Sequence, residues 1–157
     1  MSGPEDGKSK ETTIKKSIGS ALIVEDLLNI RELMEAILKR RLNEEAVIIV
    51  AESGEEALEK LTNNSIKPDL IITDLRLKGI SGIETLKKAR ALFGEDVGFN
   101  HVCLVSGTMD QTPEEQNFLN SIGAVCKIKG NPVTLIEEQI KLATEKLNQE
   151  PVTPPGD

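Results

Sequence analysis

Residues 69–82 read DLIITDLRLKGISG. An unbroken apolar run ends on Thr73 and Asp74, and glycines at 79 and 82 follow before the next helical period. Runs without polar alternation suit strands buried on both faces, as in a parallel sheet covered by helices. In such open α/β sheets the carboxyl ends of the strands converge on one crevice. Two more runs end in the same way: ALIVED, residues 21–26, closes on Glu25 and Asp26, and VCLVS, residues 102–106, closes on Ser106. One crevice would then hold three carboxylates and a hydroxyl. Like charges held close raise one another's pKa unless a cation sits among them, so a divalent metal and a phosphoryl group are the natural occupants.

Outward from that stretch the pattern alternates between strand and helix. SALIVE reads as a first strand, and Asn29 is placed to cap a helix whose face is Ile30, Leu33, Met34, Ile37 and Leu38. AVIIVA reads as a second strand, followed by a helix from about Gly54 to Leu61. Pro68-Asp69 introduces the third strand, and IETLKKARALF reads as its helix. HVCLVS is the fourth strand, and Thr112-Pro113-Glu114-Glu115 has the cap, proline and acidic first turn of a helix start. VCKIK, shorter and more polar, suits an edge strand, and Pro132 opens a last helix that turns Leu135, Ile136, Ile140 and Leu147 inward. The result is (βα)₅, a doubly wound α/β fold with a five-stranded parallel sheet, in which right-handed crossovers put helices on both faces. The expected organisation is a flexible leader over residues 1–19, one domain over 20–148 and a disordered proline-rich tail over 149–157.

Composition narrows the function. The 157 residues suit one domain, and a net charge of −7 with a pI near 4.9 speaks against a nucleic-acid surface. Three Phe, no Tyr and no Trp require an aliphatic core and disfavour stacking on bases or sugars. Cys103 and Cys126 lie in apolar segments without metal-ligand spacing, which fits small buried hydrophobes of a reducing compartment. The first twenty residues lack a secretory apolar stretch, and no run is long enough for a membrane span. A soluble, cytoplasmic protein is expected. The single histidine, His101, precedes the fourth strand, far from the crevice, and supports neither a His-rich metal site nor a Ser-His-Asp triad.

Five separated segments, in order, carry a family resemblance: VED at 24–26, AESGEEALEKL at 51–61, PDLIITDLRLKGISGIETL at 68–86, VSG at 105–107 and GA at 123–124. The chain resembles the receiver domain of two-component response regulators, of the single-domain, chemotaxis type. That resemblance implies a flavodoxin-like strand order, 2-1-3-4-5. It implies Asp74 as phosphoacceptor, and Glu25, Asp26, Asp74 and the backbone carbonyl of Arg76 as the Mg²⁺ site, with Asp26 a direct ligand and Glu25 reaching through water. It also implies Ser106 as the hydroxyl that follows the phosphoryl group. The family's lysine is followed by proline, whereas here the segment is VCKIKGNP. Counting back from the last helix favours Lys129, with Ile136 seven residues on; counting forward from Gly123-Ala124 reaches Gly130 and needs a one-residue deletion. Lys127 is the second choice, since alternate strand residues point the same way. The aromatic common in the family's fifth strand is missing, with Cys126 or Lys127 in its place. Arg76 and Thr108 stand at the family's rim positions, where the arginine would pair with phosphate or screen the attacking water.

The function implied is a stand-alone response regulator. A histidine kinase or histidine phosphotransfer domain would supply the phosphoryl group, and a downstream effector protein would read the change. No nucleic acid, no membrane and a monomer or weak homodimer are expected. The protein would not be an enzyme in the ordinary sense, being both substrate and catalyst of its own modification. The alternative is a degenerate receiver that keeps the fold and acts as a constitutive interaction module, which the altered lysine segment favours and the intact carboxylates oppose. A flavodoxin-like cofactor binder lacks the phosphate-cradling loop and ring-stacking aromatics, and an aspartate-nucleophile phosphatase lacks its DxD pattern after the first strand.

Overall fold

The computed structural model describes residues 15–94, 98–108 and 110–149. The first fourteen residues of the expected leader and the tail from residue 150 lie outside the described residues. Strands are β1 Ser20–Val24, β2 Val47–Ala51, β3 Leu70–Asp74, β4 Val102–Ser106 and β5 Val125–Ile128. Helices alternate with them: α1 Leu28–Arg41, α2 Gly54–Asn64, α3 Gly82–Phe93, α4 Pro113–Ser121 and α5 Pro132–Leu147. The sheet is parallel throughout, in the order β2-β1-β3-β4-β5. This is the expected doubly wound 2-1-3-4-5 arrangement.

Strand alternation divides the core in two. Leu22, Ile71 and Leu104 face Ala57 and Leu61 of α2, Leu86 of α3 and Leu119 of α4. Their neighbours Ile23, Ile72 and Cys103 face Met34 and Leu38 of α1 and Ile136 and Ala143 of α5. Both faces of β3 and β4 are therefore buried, which explains why their sequences lack polar alternation. β5 is a four-residue edge strand, half-buried to Lys127, with Ile128 exposed.

Four of the five helices are capped by side chains. Ser53 and Ser81 each accept a backbone N–H at 3.1 Å, from Glu56 and Glu84. Thr112 and Glu115 form a reciprocal capping box before Pro113. Asn131 accepts from Val133 at 2.8 Å and from Thr134 at 3.4 Å. α1 departs from expectation: it begins at Leu28 with no side-chain cap, and Asn29 lies inside its first turn. Ahead of the helix the Glu25 carboxylate accepts Leu27 N–H at 3.1 Å, and the Arg31 side chain donates to the Glu25 carbonyl at 2.8 Å. The chain is already turned into the helix before Asn29 is reached. Of the apolar face read for α1, Leu33 is exposed and the others are wholly or partly buried.

Residues 15–19, assigned to the leader on sequence, make defined contacts. Ile18 is buried with the α1 and α5 side chains, Gly19 N–H donates to Asp69 at 2.8 Å, and the backbone of Lys16 exchanges hydrogen bonds of 2.7 and 2.9 Å with the Asn148 side chain. The two cysteines are free and point to opposite faces of the sheet. Burial pushes the Cys103 thiol up to about 12, which leaves it inert. No helix among the described residues is long and apolar enough to cross a membrane.

Candidate functional site

Parallel register sets the site. Val24 pairs with Thr73, and Asp74 pairs with Val105. Glu25, Asp74 and Ser106 thus stand at nearly one level at the carboxyl ends of three adjacent strands. All three are buried, with relative exposures of 6%, 4% and 3%. Asp26, next along the chain, is half-buried. Carboxylate oxygens of Glu25, Asp26 and Asp74 lie within 4.8 Å of one another. Burial first, and the Asp74 charge after it, raise the Glu25 pKa, against the pull of the Leu27 N–H.

The fourth charged group is Lys129, whose Nζ donates to Asp74 Oδ2 at 3.0 Å. Its backbone N–H donates to the Ser106 carbonyl at 2.8 Å, so the β4–β5 ladder is carried one residue past β5 and delivers the lysine at the crevice. Burial works against its charge, yet Asp74, then Glu25 and Asp26, hold the ammonium above its ordinary pKa. Lys127 is paired elsewhere, with Glu138 of α5 at 3.4 Å. The structure therefore brings Lys129, and not Lys127, to the acidic cluster. Ser106 Oγ accepts Thr108 N–H at 3.3 Å, and its proton remains to be donated.

Three further features surround Asp74. A Cβ on Gly82, in the first turn of α3, would lie 2.2 Å from the Asp74 carbonyl oxygen, so only glycine lets α3 approach the strand end this closely. Glu55 of α2 accepts Ile80 N–H at 3.2 Å and lies against Gly79, whose φ is +78°, and so pins the β3–α3 loop that begins at Leu75. The Arg76 side chain pairs with acidic residues outside the cluster: Nη2 meets Asp110 at 3.2 Å and Nη1 meets Glu115 at 3.4 Å. These carboxylates, Asp110 first, raise the arginine's pKa. An arginine with two acidic partners far along the chain has no sequence signature; a glycine beside a serine cap does, but only as a possible close approach.

Beside the charged groups an apolar cavity of about 160 Å³ runs between Met34 of α1 and Leu135 of α5, with Glu25, Asp74 and Lys129 at its mouth. His101 lies at the opposite end of the sheet, buried, with Nε2 2.7 Å from Gln139 Oε1.

An all-oxygen cluster of three carboxylates suits a hard divalent cation such as Mg²⁺, which prefers oxygen ligands and keeps several waters. A single ammonium does not neutralise three carboxylates, so the donor set fits the ion.

A family model for the response regulator receiver domain matches residues 21–125. The chain belongs to this family. As a receiver domain it is similar to a CheY-like response regulator receiver domain protein from Methanospirillum hungatei JF-1, with 26% identity, a TM-score of 0.62 and coverage of 83% of this chain and 97% of that one. The receiver domain of hybrid histidine kinase CckA is 28% identical, with a TM-score of 0.61 over 80% of this chain and 99% of that chain. Chemotaxis response regulator CheY4 of Vibrio cholerae shares the fold, with a TM-score of 0.61 over 80% of this chain and 99% of that one, at 23% identity. Among curated relatives, a protein-glutamate methylesterase/protein-glutamine glutaminase of Syntrophus aciditrophicus (strain SB) is 43% identical over 67 residues, which are 43% of this receiver chain and 18% of that protein. The alignment spans about a fifth of the length of the curated relatives it matches.

Proposed function

We propose that this receiver acts as a stand-alone response regulator, with Asp74 accepting a phosphoryl group from a phosphohistidine on a histidine kinase or histidine phosphotransfer domain. The observation that carries the reading is the constellation itself: Asp74 shares a pocket with two further carboxylates within 4.8 Å and with the Lys129 ammonium at 3.0 Å.

Each residue then has a chemical task. Lys129 holds Oδ2 of Asp74, which orients the carboxylate and leaves Oδ1 to attack phosphorus. As the new O–P bond forms, the P–N bond to the donor imidazole breaks, and its electron pair stays on the ring nitrogen. Glu25, Asp26, Asp74 and the Arg76 carbonyl would hold Mg²⁺, which supplies neutralisation of the phosphoryl charge when bound. The Ser106 hydroxyl and Lys129 donate to the phosphoryl oxygens of the product. The acyl phosphate is later cleaved by water, and the output is altered binding to an effector protein.

Incubation with acetyl phosphate, with Mg²⁺ or with EDTA, followed by intact mass measurement, tests this. The wild type is expected to gain one phosphoryl group only with Mg²⁺, and Asp74→Asn to gain none. An unmodified wild type would leave the chain a receiver-fold interaction module.

A further inference from the structure

The fifth strand of this receiver offers no aromatic side chain to follow the Ser106 hydroxyl, since Cys126 and Lys127 stand there. Two polar groupings lie beyond Ser106 on another route, one at Thr108 and one centred on Arg76. Ser106 Oγ accepts Thr108 N–H at 3.3 Å. Asp110 meets Arg76 Nη2 at 3.2 Å, and Arg76 Nη1 meets Glu115 Oε2 at 3.4 Å. The other oxygen of Glu115 accepts Thr112 N–H at 3.0 Å and so closes the capping box of α4. The β3–α3 loop, the β4–α4 segment and the start of α4 are joined through one guanidinium.

That guanidinium is placed to respond to Asp74. Arg76 follows Asp74 by two residues, so its backbone is fixed next to the acceptor while its long side chain, now on Asp110 and Glu115, is free to exchange partners. Its present contacts are single N···O pairs, with Arg76 and Asp110 about half exposed or more, and exposed pairs of this kind are weak. A phosphoryl dianion presents several oxygens that match the fork of an arginine, and such pairs are stronger. The same event draws the Ser106 hydroxyl inward and removes the acceptor of Thr108 N–H.

We propose that Arg76 is the positioning residue that couples occupancy of Asp74 to the start of α4: unmodified, it ties Asp110 and Glu115 to the β3–α3 loop, and it transfers to the phosphoryl group once Asp74 is occupied, releasing the β4–α4 segment. This rests on Asp74 being the acceptor.

The test uses the full chain, ¹⁵N-labelled, with Mg²⁺ and beryllofluoride as the phosphoryl mimic. Fluorine NMR reports the adduct, and amide exchange reports Asp110 to Gln116. In the wild type, adduct formation is expected to speed exchange at Thr112 by roughly fivefold, the scale set by one exposed ion pair. Arg76→Ala should form the adduct, start with the faster exchange and change less than about twofold on binding; Arg76→Lys should fall between. An adduct that leaves wild-type exchange unchanged, or a wild-type response in Arg76→Ala, overturns the coupling while leaving the acceptor intact. No fluorine signal of an adduct overturns the acceptor reading and this coupling with it.

Discussion

The Lys129 ammonium reaches Asp74 Oδ2 across 3.0 Å from a position one residue beyond the end of β5. The same contact has opposite effects on the two ligands the site would take. Lys129 offsets part of the carboxylate charge and so competes with a metal cation, but it attracts a phosphoryl anion. Lys129→Ala is therefore expected to bind Mg²⁺ several-fold more tightly by calorimetry while losing about tenfold in beryllofluoride affinity, the scale of one charge-assisted hydrogen bond. Lys127→Ala loses only an exposed pair with Glu138, about 0.5 kcal/mol or less, and should leave both affinities within twofold.

Clustered carboxylates make metal a stabiliser. At ten times its Kd, Mg²⁺ should add about 1.4 kcal/mol to the unfolding free energy of the wild type. Asp26→Asn removes one member of the cluster. Its melting temperature in EDTA should be higher than that of the wild type, by relief of repulsion, and should no longer rise with Mg²⁺. A wild-type rise in the variant would mean that Asp26 is not a ligand.

Gly82→Ala tests the close approach of α3 to the acceptor strand. The added methyl would meet the Asp74 carbonyl at 2.2 Å, so helix and strand must separate, at about 1–3 kcal/mol. Urea unfolding should show that loss, and Mg²⁺ affinity should fall with it because the loop carrying the Arg76 carbonyl moves. Gly98→Ala, where a Cβ meets nothing within 4 Å, is the control.

His101 gives the fold a pH dependence of known sign. Burial lowers its pKa, with the Gln139 hydrogen bond opposing and the Lys146 charge reinforcing the shift. The unfolded chain, with an ordinary histidine near 6.5, therefore binds the proton first as pH falls. Stability is full above about 6.5 and is lost below it, down to the folded-state pKa, at up to about 1.4 kcal/mol per pH unit. His101→Asn should remove that slope from the difference between the two urea titration series, while the carboxylate contribution at lower pH remains in both.

Legibility in the sequence followed the reach of each interaction. The strands could be read because burial on both faces removes polar alternation, as in Leu70 to Ile72. Glu25, Asp26 and Asp74 could be read because strand ends in a parallel sheet share a level. Lys129 could be reached only by counting back from α5, since the segment GNP breaks the usual lysine-proline pair and the deciding hydrogen bond, Lys129 N–H to Ser106, is a tertiary one. Asn29 misled because Arg31 N–H already donates to the Leu27 carbonyl, which moves the cap position two residues earlier. The partners of Arg76, Asp110 and Glu115, lie more than thirty residues on, and no local pattern encodes that pairing.

The paired hydrogen bonds between Lys16 and Asn148 have a practical consequence. They clasp the segment ahead of β1 to the foot of α5, at the pole of the sheet facing away from the acidic crevice. A fluorescent reporter or tether joined at either of these two places would hang from that far pole and leave the approach of a phosphodonor open.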